Sequence, residues 1–174
     1  MNITANDVKQ IRERTGAGMM DSKAALVEAK GDFDKATTIL KERGAAIAAK
    51  KSGRNTSNGV IGVYIHTGNG VVAMVEVNVE TDFVAKDEKF IAFANDLAMH
   101  VAGMNPLYLT EEDIPSGEFK KQADKNAFIN EVVLMKQSFV KDSSKTIEDL
   151  VNEQVANFKE NIQVRRFVRF ELGE

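Results

Sequence analysis

A chain of 174 residues, 43% hydrophobic and 28% charged, has the makeup of one or two folded domains rather than of a fibrous or disordered protein. It contains no cysteine, which excludes disulfides, thiolate metal sites and thiol nucleophiles and fits a reducing compartment, the cytoplasm by default; no apolar run approaches bilayer length, and Met1 leads into Asn2-Ile3-Thr4 with neither a basic flank nor an apolar signal core, so export and membrane insertion are not expected. The net charge of -3 conceals 11 Lys/Arg against 7 Asp/Glu over residues 1–54 and 12 against 19 over the rest, a division that points to two modules, the first too mildly basic to imply nucleic acid.

Thr4-Ala5-Asn6-Asp7 has the spacing of a capping box with Asp in place of the usual Glu, and Val8, Ile11 and Thr15 follow on one helical face as far as Gly16. Gly16-Ala17-Gly18 turns into a second helix from Met19 to Val27. Gly31-Asp32 caps a third, with Phe33, Ala36, Ile39 and Leu40 as its stripe and Gly44 as its expected end. Such a small bundle has a marginal core and gains from a neighbour or a partner. Met19 and Met20 are about 100° apart on a helix, so both cannot face one core. One of them is expected on the surface, where methionine suits an adaptable recognition face; packing of both at the bundle's open end is the alternative. Arg12, one residue beyond Ile11, reads as a solvated side chain.

Lys50-Lys51-Ser52-Gly53-Arg54 and the polar residues to Gly59 read as a linker. The expected division is therefore a three-helix domain at 1–50, a linker at 51–58 and a core domain at 59–174. The basic cluster could contact RNA, but linker composition accounts for it with less. Ile61, Val63 and Ile65 alternate, Thr67-Gly68-Asn69-Gly70 supplies a turn, and Val75, Val77 and Val79 alternate against Glu76 and Asn78, which together predict a β-hairpin. Asp87 can cap a helix with the stripe Phe90, Ala94, Leu97, Ala98 and Val101, ending at Gly103 and lying across the hairpin's apolar face.

Pro106 and Pro115 bracket a loop. Residues 118–137 then give an imperfect helical pattern through Phe119, Ala123, Ile129, Val132, Val133 and Met135, with a break near Asn126. A loop is expected over 138–145, then a helix opened by the capping-box spacing Thr146 to Asp149, with Ile147, Leu150, Val151, Val155 and Phe158 inside. The last strand, 164–172, alternates Val168, Phe170 and Leu172 against Arg169 and Glu171, and its return after helices predicts a small three-stranded sheet in an α+β core.

Between hairpin and helix lies Thr81-Asp82-Phe83-Val84-Ala85-Lys86. Thr-Asp reads as a local helix cap. Phe83 on such a corner is an anchor if exposed, flanked by a carboxylate and an amine, and on residue type alone it belongs to the core. Catalytic chemistry is not legible: His66 and His100 lie in no metal-ligand spacing, the carboxylates are dispersed, and Gly68-Asn69-Gly70 is turn chemistry rather than a phosphate cradle. No cofactor, metal or catalytic residue is expected.

Three stretches together resemble the bacterial elongation factor Ts family: Val8 to Asp21 with Arg12, Thr15-Gly16-Ala17-Gly18 and Met19-Met20; Val75 to Lys86 with Thr81-Asp82-Phe83-Val84; and the tail Asn161 to Glu174. The resemblance implies a ubiquitin-associated-like three-helix domain followed by an α+β core, and the role of guanine-nucleotide exchange factor for elongation factor Tu, bound with GDP and nucleotide-free. It also implies that Thr81, Asp82, Phe83 and Val84 meet that partner, with the Phe83 ring exposed, and that Arg12, Met19, Met20 and Lys23 supply N-terminal contacts. Long family members carry a duplicated core; this chain resembles a short, single-core form. A homodimer is the expected compensation, with the sheet's unpaired edge as its candidate interface. The rival readings are an adaptor that binds a partner without altering nucleotide release, and, more distantly, a small enzyme with a pocket at His66 or His100.

Overall fold

The computed structural model describes residues 3–119 and 124–174, the side chain of Phe119 excepted. The chain divides into two compact units, Met1–Arg54 with Val151–Asn161, and Asn55–Leu150 with Ile162–Glu174.

In the first unit, helix α1 (Ala5–Thr15) opens on the capping box at Thr4 and Asp7 and ends at Gly16, whose φ of 69° satisfies the left-handed cap. Helix α2 (Met19–Glu28) and helix α3 (Phe33–Lys51) follow, the latter capped by Asp32, which accepts from the backbone N–H groups of Asp34 and Lys35. Val8, Ile11, Ala25, Leu26, Ala29 and Ala36 form the core, with Ile3, Phe33, Ile39 and Leu40 packed around it. Helix α3 does not close at Gly44 as expected but runs on to Lys51. Gly44 is buried inside it, and a Cβ there would stand 3.6 Å from the carbonyl oxygen of Asn152: this glycine makes room for a neighbouring backbone rather than a stop. Beyond the helix, Asn161 Nδ2 donates to the carbonyls of Ser52 (3.3 Å) and Arg54 (2.8 Å).

In the second unit, strands β1 (Asn58–Ile65), β2 (Val71–Val79) and the last strand, β5 below, form an antiparallel sheet in the order β1-β2-β5. After a one-turn helix α4 (Asp82–Ala85), helix α5 (Glu88–Met104) covers one sheet face with Phe90, Phe93, Ala94, Leu97, Ala98 and Val101. The α5 C-cap is Asn105 in the left-handed region (φ 46°), two residues beyond the expected Gly103.

The covered face of β1 is the opposite of the expected one. Ile61, Val63 and Ile65 are exposed, while Val60, Gly62 and Tyr64 pair with the inward residues Val77, Val75 and Ala73. Gly62 decides this. A Cβ on it would lie 2.1 Å from the Ala94 carbonyl oxygen, so α5 rests directly on the β1 backbone, an approach that only glycine permits.

Residues 118–137 are not one helix. After a 3₁₀ turn (Glu111–Asp113) come α6 (Ser116–Phe119), α7 (Lys125–Val132), capped by the Asp124 side chain, and a second 3₁₀ turn (Leu134–Lys136). Ala123 and the Phe119 side chain, counted in the expected pattern, lie outside the described residues. Residues 138–145, expected as a loop, pair as β3 (Ser138–Phe139) with β4 (Asp142–Thr146). Helix α8 (Ile147–Phe158) opens on the Thr146–Asp149 box, both of whose hydrogen bonds are 3.1 Å. In β5 (Ile162–Glu171) the register shifts opposite Glu76 and Val77, leaving Arg165 out of the ladder. That bulge reverses the expected alternation: Phe167 and Arg169 take the helix side, and Val168 and Phe170 the other.

Candidate functional site

The turn between β2 and α5 is over-determined by local chemistry. Thr81 caps α4 in an extended conformation, accepting from the Val84 N–H at 3.4 Å, and Asp87 caps α5, accepting from the N–H of Lys89 at 2.8 Å and of Phe90 at 3.4 Å. Backbone bonds from Ala85 to Thr81 and from Asp87 to Val84 close the turn, and Asn58 Nδ2 holds its entry by donating to the Glu80 carbonyl at 2.8 Å. One short turn caps the next.

With the backbone fixed, the four motif residues point in set directions. Val84 is buried and holds α4 on the sheet, so its side chain secures the turn. Phe83 is 82% exposed. No inward position is left for its ring, because Val84 occupies the one the turn provides. Beside it, Lys86 Nζ donates to Asp82 Oδ2 at 2.7 Å, and that bond and charge hold the Asp82 carboxyl below its ordinary pKa. Both groups are solvated, so the pair adds little stability. What it does is set a fixed charge pair at the foot of an exposed ring, in an open depression lined by Asp82, Phe83, Lys86 and Asp87. This is the arrangement of an anchor residue rather than of a reaction centre.

The other expected contact residues belong to the first unit. Arg12 is exposed on α1, and Lys23 on α2. Ser22, Ala25 and Leu26 take the inward positions of α2, and the turn before it is joined to α1 by the Ala17 N–H donating to Thr15 Oγ1 at 3.4 Å, while Thr15 Oγ1 donates to the Ile11 carbonyl at 2.7 Å. Both methionines are thereby turned outward, Met19 at 60% and Met20 at 76% exposure, where only one was expected. Val27 is also exposed. It stands seven residues from Met20, two turns along the same face, and continues that apolar stripe; the i, i+7 spacing carries the signal in the sequence.

The histidines are accounted for structurally. His66 contacts the Tyr64 hydroxyl at the surface. His100 is buried, Nδ1 accepting from the Val140 N–H and Nε2 bonded to Gln137. Among the described residues no group of His, Asp and Glu is placed to hold a metal ion, and no helix is long and apolar enough to cross a membrane.

The family model described as Elongation factor TS matches residues 5–126 and 123–174. Relatives named Elongation factor Ts include those of Herpetosiphon aurantiacus (48% identical over 99% of this chain and 99% of the relative), Alkaliphilus metalliredigens (46%, covering 100% and 91%) and Carboxydothermus hydrogenoformans (45%, covering 99% and 90%).

Proposed function

The chain belongs to the elongation factor Ts family, and from that premise we propose that it is the guanine-nucleotide exchange factor of its elongation factor Tu, acting in the cytoplasm by loosening the Mg²⁺ and phosphate site of the bound GDP. The observation that carries the reading is Phe83, held outward on a doubly capped turn.

P-loop GTPases grip nucleotide through Mg²⁺ bridging phosphate oxygens and side chains. A factor with no covalent chemistry can weaken that grip only by binding the loosened conformation better than the tight one. Insertion of the Phe83 ring, with Asp82 beside it, supplies this preference, and Arg12, Met19, Met20 and Lys23 supply affinity from the first unit. Reciprocity then requires that nucleotide rebinding weaken the factor by the same ratio, which releases it. The nucleotide-free and GDP-bound partners are both bound, the first more tightly.

The test is release of a fluorescent GDP analogue from elongation factor Tu. Acceleration by the wild type, lost in Phe83→Ala that keeps its circular dichroism spectrum, is the expected result. Binding without acceleration would replace exchange by the adaptor reading.

A homodimer belongs to the same proposal, with the sheet face rather than its edge as the interface. Ile61, Val63, Ile65, Met74 and Phe170 leave an exposed apolar surface drawn from all three strands. At the β1 edge, by contrast, the Val63 N–H is already taken by Asn95 Oδ1 at 3.1 Å. A second copy, packed face to face at about 10 Å in the manner of a β-sandwich, would cover that surface where a duplicated core would otherwise do so.

A further inference from the structure

We propose that Met19-Met20 is a peroxide-sensitive modification site, and that its sulfoxide form docks the partner GTPase poorly, so that oxidation switches off the exchange assigned above. The inference rests on the reading that these residues face that partner.

The chain has no cysteine, so its thioethers carry all of its sulfur chemistry and no thiol competes for oxidant. Among the described methionines, Met20 at 76% and Met19 at 60% are the most exposed, ahead of Met104 at 42% and Met74 at 38%, while Met99 and Met135 are half-buried. Access of the oxidant to Sδ governs the rate. The two are adjacent in the first turn of α2, so one encounter surface presents both.

The step is balanced with a peroxide as oxidant. A lone pair on Sδ attacks one oxygen of hydrogen peroxide, the O–O bond breaks as the S–O bond forms, and the departing hydroxide takes the proton of the transferred oxygen and leaves as water. Sulfur loses two electrons and the peroxide gains them. The product is polar and a strong hydrogen-bond acceptor, which an apolar receiving surface must desolvate without return. Folding of the unit is untouched, because Ser22, Ala25 and Leu26 carry the inward packing of α2. Sulfoxide reductases, one for each sulfur epimer, reverse the change.

The experiment treats the full chain with hydrogen peroxide, follows each methionine by peptide mass spectrometry, and measures affinity for elongation factor Tu along the same time course. Sulfoxide is expected first at Met19 and Met20, with affinity falling about tenfold or more in step, an unchanged circular dichroism spectrum, and recovery after both reductases. Prior complex formation should slow oxidation at these two positions. Met104→Leu should show the same loss, which removes the next most exposed thioether as its cause. Full sulfoxide at both positions with undiminished affinity, or a loss that tracks another methionine, would overturn the proposal. An untreated chain that fails to bind would overturn the exchange reading itself and take this inference with it.

Discussion

His100 on α5 and Gln137 before β3 are joined by a 3.0 Å hydrogen bond with both side chains buried. Because His100 Nδ1 accepts from the Val140 N–H at 3.2 Å, its Nε2 carries the proton and donates to Gln137 Oε1. The Gln137 amide then donates to the carbonyls of Glu131 at 2.6 Å and Met104 at 3.3 Å. The chain of bonds requires a neutral imidazole and ties β3 to the end of α5.

Stability should therefore fall with acid in a defined window. Burial lowers the His100 pKa from 6.5, so the unfolded chain binds a proton at a pH where the folded one does not. The sign follows from linkage: stability is fully present above about 6.5 and is lost progressively as pH falls toward and through the lowered folded value. Urea midpoints from pH 8 to pH 5 should show this slope. His100→Phe should flatten it while costing about 2 kcal/mol at pH 7.5, since the Val140 N–H and Gln137 Oε1 lose their partners. An unchanged slope in the variant would place the titrating group elsewhere.

Gly62→Ala should be severe for a surface-edge strand. The added Cβ would meet the Ala94 carbonyl oxygen at 2.1 Å and its carbon at 2.2 Å, backbone atoms that cannot step aside, so α5 must lift from the sheet. A loss of about 3 kcal/mol or more is expected in thermal or urea melts. Gly70→Ala, where nothing lies within 4 Å of the new atom, should stay within about 0.5 kcal/mol of wild type. Equal effects at the two positions would contradict the contact.

Neighbouring residues of the motif should separate function from folding. Phe83→Ala removes an exposed ring and should leave the melting temperature within about 2 °C of wild type, a change of no more than about 1 kcal/mol, while abolishing exchange. Val84→Ala removes buried methyl groups and should cost about 2 kcal/mol with exchange retained at temperatures where the variant is folded. If Phe83→Ala is the destabilised one, the ring is core and the anchor fails.

These contrasts also mark what the sequence could and could not tell. Caps at Thr4, Asp32, Asp87 and Thr146 were legible because each is a contact between residues at most three apart. The covered face of β1 was not, since alternation of Ile61, Val63 and Ile65 gives a period without saying which side the helix takes; Gly62 settles that only through α5. The bulge at Arg165 inverted β5 for the same reason, a one-residue change in register that flips every later side chain. The hairpin at 138–146 was hidden because its strands are two and five residues long and Phe139 is their one apolar side chain, so no alternation shows. At the candidate site, residue type alone put Phe83 in the core. Its exposure follows from a tertiary fact, that Val84 takes the inward position of the turn.

The uncovered sheet face supplies the last prediction. Val72 pairs with Phe170 and Met74 with Val168 across β2 and β5, and Ile65 and Val63 stand opposite the same two residues from β1. A surface of this kind on an isolated chain favours association, because water must otherwise be ordered over contiguous apolar groups. Sedimentation equilibrium of the wild type should give a dimer. Phe170→Glu, which places a charge within that patch, should give a folded monomer, since the Phe170 ring is 61% exposed and its replacement empties no buried position. Lys141→Ala is the control: its partner Asp96 lies on α5, on the other side of the sheet, and the loss of their solvated ion pair at 2.6 Å should leave association nearly unchanged. A monomeric wild type, or a Phe170→Glu variant that still dimerises, would remove this face as the interface, and the exposed strands would then need another partner to explain them.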